Sequence, residues 1–179
     1  MGVETNKPSV PVRLADGHRI EGFSCGDAGV DTWLRDRAIA SQKSGSARTF
    51  VVCVGEQVVA YYCLSNAIIE REELATAKLR KGQPPAVPAI LIGQLGVDYR
   101  YQGHGLGRAL LKDALGRALH ISKHSGVVVI HLHASTDSAR DYYLHLNLGF
   151  QLSRTTPRTL YLPLATIEQA LLPELLTDE

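Results

Sequence analysis

Residues 99–111 read YRYQGHGLGRALL, with Gln102 followed by glycines at 103, 105 and 107 and then by leucines at helical spacing. Glycine at alternating positions lets successive backbone N–H groups converge with no Cβ in the way. The start of a helix adds unpaired N–H groups and the positive end of its dipole. Phosphate oxygens suit such a loop. Spacing separates the phosphate loops that use glycine. A dinucleotide GxGxxG needs glycine at 108, where Arg108 stands; a nucleotide P-loop needs Gly-Lys followed by Ser or Thr, whereas Gly107 precedes Arg108 and Ala109. What remains is Gln102, two residues, Gly105, one residue and Gly107, or else a glycine-rich turn that only leads into a helix.

The flanks place the loop between a strand and a helix. Residues 89–98, AILIGQLGVD, are short, β-branched and bounded by Pro88, which predicts a buried strand. Leu110, Leu111, Ala114, Leu115, Ala118 and Leu119 recur at three- and four-residue steps, one face of a helix running to about Lys123. A second strand, VVVIHLHA, follows at 127–134, so a right-handed βαβ crossover is expected.

Around this unit the pattern is mixed α/β (α+β). Residues 10–14 and 18–23 read as strands about the Ala15-Asp16-Gly17 turn. Between 24 and 45, Val30, Trp33, Leu34 and Ala38 share one helical face. TFVVCV and QVVAYYCLS form a hairpin across Gly55-Glu56, and residues 70–81 make a short helix or ordered loop stopped by Pro84, Pro85 and Pro88. Residues 135–152 predict a helix capped by Ser135 or Asp137 that carries Tyr142 and Tyr143 to a stop at Gly149-Phe150, then a strand.

With 179 residues, 45% of them apolar, and a net charge of +1, the chain is expected to be one domain, 1–179, with about the first nine residues flexible. No apolar run approaches the roughly 20 residues of a membrane span, and the N-terminus has neither a signal peptide nor a presequence pattern, so a cytoplasmic protein is expected. Asn6 stands where N-myristoylation expects Ser or Thr. Cys25, Cys53 and Cys63, odd in number and without CxxC spacing, read as buried thiols. His131 and His133 alternate on one strand face without a third ligand and read as structural, so no metal is expected. From 99 to 124 Arg100, Arg108, Lys112, Arg117 and Lys123 face a single acid, Asp113, which suits a polyanion or a solvated surface. Cofactor phosphates would account for Arg100 and Arg108 at most.

The Gln102, Gly105 and Gly107 spacing between strand and helix resembles the acetyl-coenzyme A signature of the GCN5-related N-acetyltransferases (GNAT). The resemblance implies a mixed central sheet of six to seven strands flanked by helices, with acetyl-CoA at splayed central parallel strands. It further implies a pyrophosphate cradle of Gln102, Gly103, His104, Gly105, Leu106, Gly107 and Arg108, and a thioester carbonyl polarised by a backbone N–H of Leu95, Gly96 or Val97. An amine then attacks directly. Alignment through Ala139 and Arg140 gives Tyr143 the role of protonating the departing thiolate, with Tyr142 as a packing residue, although the step from Tyr143 to Gly149 is longer than the family pattern.

Four further segments, FSCGDAGVDTWLRDRA, ARTFVVCVGEQVVAYYCLS, LRKGQPPAVPAILIGQLGVDYRYQGHGLGRALLKDAL and TLYLPL, resemble in order the GNAT toxins of bacterial type II toxin–antitoxin modules. That resemblance implies acetylation of the α-amine of the amino acid on charged tRNA. Arg35, Arg37, Lys78, Arg80 and Lys81 are then candidates to meet the RNA phosphates. It also implies a homodimer and a small DNA-binding antitoxin of ribbon-helix-helix type. The residues alone leave two other readings: an acetyltransferase for a small amine or protein N-terminus, and a noncatalytic coenzyme A or nucleic-acid binding module.

Overall fold

The computed structural model describes residues 7–175. Its elements in chain order are β1 (Val12–Arg13), α1 (Ala28–Asp36), α2 (Ala38–Ser44), β2 (Arg48–Val54), β3 (Gln57–Glu70), a 3₁₀ turn (Arg71–Glu73), α3 (Ala77–Arg80), β4 (Ala86–Val97), a second 3₁₀ turn (Tyr99–Tyr101), α4 (Leu106–Ser122), β5 (Val129–His133), α5 (Asp137–His145), β6 (Gln151–Leu152), β7 (Thr159–Pro163) and α6 (Leu164–Leu175). The strands form a seven-stranded sheet in the order β1-β2-β3-β4-β5-β7-β6, with β4 and β5 parallel and β1–β2, β2–β3, β5–β7 and β6–β7 antiparallel. This is the mixed sheet with helices that the sequence predicts. The chain divides into two compact units, Met1–Ser65 with Gly93–Ala114 and Asn66–Ile92 with Leu115–Glu179. Of the nine residues expected to be flexible, 1–6 lie outside the described residues; Ser9 is bonded to Cys53 through both its backbone N–H (2.8 Å) and its hydroxyl oxygen (3.0 Å).

In the first unit α1 starts at Asp27, whose carboxylate accepts from the N–H groups of Gly29 and Val30. Its apolar face, with Val30, Trp33 and Leu34, packs on Leu14, Phe23, Val51, Val58 and Tyr61. Tyr61 is fully buried. Trp33 stacks on its ring at 6.1 Å, Phe23 meets it edge-on at 5.5 Å, and its hydroxyl donates to the Val30 carbonyl at 2.6 Å. The helical face expected over 24–45 is carried by two helices, because the backbone leaves helical geometry at Arg37 (φ −123°, ψ −29°), and both Leu34 and Ala38 stay buried across the break. The strands expected at 10–14 and 18–23 shrink to β1 and a single bridge, Arg19 to Gln57. The cause is local: the Phe23 N–H turns back to the Ile20 carbonyl, with Gly22 at φ +80°. The β2–β3 hairpin turns at Gly55-Glu56 as expected.

In the second unit, residues 71–80 lay Leu74 and Leu79 over Ile69, Val87, Ala89, Val129 and Tyr161. β4 and β5 pair from Ala89↔Val129 to Ile92↔Leu132, and β5 is shorter at both ends than the expected 127–134. The cap of α5 is neither Ser135 nor Asp137 but Thr136, which is extended (φ −136°, ψ 163°) and accepts from the Ala139 N–H at 3.0 Å. Asp137 instead accepts from Arg158 at 2.9 Å and from Arg140 at 3.4 Å. The helix ends at His145, before the expected stop, and Asn147 (φ 53°) and Gly149 (φ 96°) carry the chain round to β6. α6, which the sequence reading leaves unassigned, buries Leu164 and Ile167. Among the described residues no helix is long and apolar enough to cross a membrane.

Candidate active site

The glycine loop in the first unit has the form of an anion cradle. Gly103 and Gly105 lie at φ +79° and +81°, with exposed His104 between them, and a Cβ at either glycine would meet nothing within 4 Å. Backbone of this kind aims consecutive N–H groups into one concavity. The Ala109 N–H donates to the Gly105 carbonyl at 3.0 Å and opens α4. The N–H groups of Leu106, Gly107 and Arg108 therefore precede the helix's own bonds and have no acceptor within it. An open loop with this many donors fits a pyrophosphate.

Two side chains expected to meet phosphate are engaged elsewhere. The amide nitrogen of Gln102 donates to the carbonyls of Cys25 (2.8 Å) and Val97 (2.9 Å), tethering the loop to the segment before α1 and to the end of β4. The Arg100 guanidinium holds Asp98 at 2.8 and 3.0 Å; that carboxylate is fully buried and also accepts from the N–H groups of Arg100 and Ser24. Burial drives the Asp98 carboxyl upward, but the Arg100 guanidinium and these N–H groups outweigh it and hold it below the ordinary carboxylate value. A carboxylate depressed in the fold contributes stability that is complete above its unfolded value, near about 3.9, and is lost as pH falls through the lower folded value. Asp98→Asn is expected to cost about 2–3 kcal/mol at pH 7. Urea unfolding at stepped pH checks this: the gap to wild type should close as the medium is acidified through the lowered folded value of Asp98. Asp31 completes the frame, accepting from the Cys25 N–H at 2.9 Å and the Ser24 hydroxyl at 3.2 Å. Sequence reasoning missed both aspartates, which meet at Ser24: its N–H donates to Asp98, 74 residues away, and its hydroxyl to Asp31.

The end of β4 supplies the second element. The Asp98 N–H donates to Val59 of β3 at 2.8 Å, so the period-two alternation of a strand turns Leu95 and Val97 to the other edge. The ladder to β5 has already ended, at Ile92↔Leu132. Val97 offers its carbonyl there to Gln102, and Leu95 presents an N–H not used by that ladder. Gly96 has a different reason for being glycine: a Cβ would lie 2.8 Å from Val30 Cγ1 and 3.3 Å from Cys25 Sγ. Leu95–Val97 and 102–108 thus come together in one unit.

Tyr143 belongs to the second unit, on α5. It is half-buried, its ring 5.9 Å from Phe150 and 5.5 Å from Tyr142, and burial pushes its hydroxyl up to about 12. Such a group keeps its proton throughout the neutral range. Tyr142, expected to pack, is exposed, because adjacent helix positions point to different sides. Of the cationic candidates, Arg35 and Arg37 belong to the α1–α2 segment and Lys78, Arg80 and Lys81 to α3 and its end. Arg35 pairs with Asp36 at 2.9 Å and Arg80 donates to the Leu74 carbonyl at 2.6 Å, whereas Arg37, Lys78 and Lys81 are exposed. Asp113, the single acid of the basic run, accepts from the Tyr62 hydroxyl. Burial pushes the Cys25 thiol up to about 12 and Cys63 up to about 11, so neither is a thiolate at neutral pH. Among the described residues no group of three or more His, Cys, Asp or Glu could hold a metal ion.

Residues 45–152 match the acetyltransferase (GNAT) domain model. The chain is 38% identical over 154 residues to the tRNA-acetylating toxin of Mycobacterium tuberculosis, covering 86% of this chain and 91% of that one. Among solved structures it resembles AtaT complexed with acetyl-methionyl-tRNAfMet (TM-score 0.83, 24% identity, 91% of this chain and 98% of that one). It also resembles a tyrosine-to-phenylalanine mutant of AtaT bound to the C-terminus of the antitoxin AtaR (TM-score 0.78, 22% identity, 97% and 99%). A glycine loop between β4 and α4, on a mixed sheet and within a matched domain, agrees with one conclusion that the family match and the 38% identity carry: the chain belongs to the GNAT acetyltransferases, enzymes that use acetyl-CoA as acyl donor.

Proposed function

We propose that this enzyme transfers the acetyl group of acetyl-CoA to the α-amino group of the amino acid on charged tRNA, in the cytoplasm, and so blocks translation as the toxin of a type II toxin–antitoxin pair. The observation that carries the reading is the 38% identity to a tRNA-acetylating toxin over 86% of the chain. A homodimer and a small DNA-binding antitoxin complete it. Induced expression should arrest growth and protein synthesis, with relief by the cognate antitoxin; normal translation in cells that hold folded, acetyl-CoA-binding protein would contradict it.

The residues divide the chemistry as follows. The N–H groups of residues 103–108 hold the pyrophosphate, and Gln102 locks that loop to β4. An N–H on the free edge of Leu95–Val97 takes the charge that develops on the thioester oxygen. The amine attacks in its neutral form, and an α-amine titrating near about 7.7–8.0 supplies a useful fraction of that form at cellular pH. Carbon–nitrogen bond formation and carbon–sulfur cleavage leave a thiolate, to which Tyr143 donates. A donor held near 12 is a weaker acid than an ordinary thiol at about 8.5. Its hydrogen bond therefore does most of the stabilising, and proton delivery trails bond cleavage. Arg37, Lys78 and Lys81 meet RNA phosphates without reading sequence, so binding should weaken steeply with salt.

Gly105→Ala puts a Cβ at φ +81°. The strain is about 1–2 kcal/mol, so acetyl-CoA should bind roughly 5- to 30-fold more weakly by titration calorimetry, with kcat nearly kept.

A further inference from the structure

Ser24 and Cys25, which precede the cap of α1, meet both parts of the candidate site that lie in the first unit. The Ser24 carbonyl accepts from the Tyr99 N–H at 2.8 Å, and the Ser24 N–H donates to Asp98 at 3.2 Å, just past the end of β4. The Cys25 carbonyl accepts from Gln102 at 2.8 Å, at the entry to the glycine loop. Cys25 Sγ and Cβ stand 3.3 and 3.4 Å from where a Cβ on Gly96 would lie, so the dipeptide also backs the strand end. It is a strut between the cradle and β4.

α1 fixes that strut. Both carboxylate oxygens of Asp31 are given to it, Oδ1 accepting from the Cys25 N–H at 2.9 Å and Oδ2 from the Ser24 hydroxyl at 3.2 Å. The helix is itself seated on the core: Val30, Trp33 and Leu34 pack there, and the Tyr61 hydroxyl donates to the Val30 carbonyl. Bonds from Asp98, Tyr99 and Gln102 come from the site and move with it, whereas those of Asp31 come from the frame. Hydrogen bonds to a carboxylate are shorter and stronger than neutral ones, which suits them to hold a short segment in place.

We infer that Asp31 is a positioning residue for acyl transfer. Through Ser24 and Cys25 it keeps the glycine loop and Leu95–Val97 in one register, so that a cofactor seated by its pyrophosphate brings its thioester carbonyl onto the strand N–H. The inference rests on the placement of the thioester proposed above. The loop's own N–H groups hold the pyrophosphate whether or not the strut is tight, so affinity depends little on Asp31. Alignment of the carbonyl depends on it strongly, since a misplacement of about 1 Å can cost roughly 100-fold in rate.

The test is isotope-edited infrared spectroscopy of acetyl-CoA carrying heavy carbon at the carbonyl, bound to the full-length protein, beside titration calorimetry and single-turnover acetylation of charged tRNA. In the wild type the carbonyl stretch should lie below that of the free cofactor. Asp31→Ala removes both bonds; it should return the stretch to the free value and slow acetylation about 10- to 100-fold, with acetyl-CoA affinity within about threefold of wild type. Asp31→Asn keeps an acceptor for the Cys25 N–H, and its amide donates to the Ser24 hydroxyl, so the lowered stretch and the rate should be retained. Ser24→Ala removes one bond without touching α1 and should move the stretch part of the way; it carries the same test if Asp31→Ala does not fold. A wild-type stretch in both alanine variants, or affinity lost as steeply as rate, overturns the assignment. An unshifted carbonyl in the wild type overturns the placement of the thioester and this assignment with it. A lowered stretch in wild-type protein that acetylates no charged tRNA overturns the acceptor reading alone.

Discussion

Tyr143→Phe is expected to lower kcat about 10²- to 10³-fold while acetyl-CoA affinity stays within about twofold of wild type. The substitution removes one oxygen and keeps the ring that packs at 5.9 Å from Phe150, so folding should change by less than about 1 kcal/mol. The hydroxyl is the only group lost, and as a proton donor it acts when the thiolate departs rather than when the cofactor binds. Burial holds Tyr143 near 12, so the wild-type rate should rise as the amine deprotonates and should not fall again by pH 10. Stopped-flow thiol release across that range, with calorimetry for binding, checks both parts. A near-normal kcat would move the donor elsewhere, and a parallel loss of affinity would make Tyr143 a structural residue.

The largest stability effect should come from Gly149→Ala. Gly149 sits at φ +96°, and a Cβ there would lie 2.6 Å from Thr166 Cγ2 and 3.5 Å from Leu162 Cδ1. Left-handed backbone costs an L-residue about 1–2 kcal/mol and overpacking a further 1–3, so about 2–5 kcal/mol is expected. At roughly 2–4 °C per kcal/mol, the melting temperature should drop by about 4–20 °C. Thr166→Ser removes the clashing methyl and leaves the dihedral untouched. The Gly149→Ala/Thr166→Ser pair should therefore recover part of the loss, and no recovery would show that backbone strain alone sets the cost.

The parts of this fold that could be read from the chain are those whose causes are local. Glycines at 103 and 105 and leucines at helical steps announce the loop and α4 within a few residues, and Gly55-Glu56 does the same for the hairpin. Arg37 is different: neither glycine nor proline marks the break between α1 and α2, and the burial of Leu34 and Ala38 spans it. Ser135, Thr136 and Asp137 are all competent caps, and only the extended backbone at Thr136 chooses among them. The contacts of Gln102 and Arg100, to the Cys25 carbonyl and to a buried Asp98, appear only once the chain is folded.

The central claim concerns the acceptor. Purified enzyme with labelled acetyl-CoA and a complete set of charged tRNAs, followed by mass spectrometry of the released aminoacyl ends, should yield N-acetyl-aminoacyl product on at least one tRNA and none on uncharged tRNA. Label on free amines or protein N-termini, with every charged tRNA left unmodified, would contradict it.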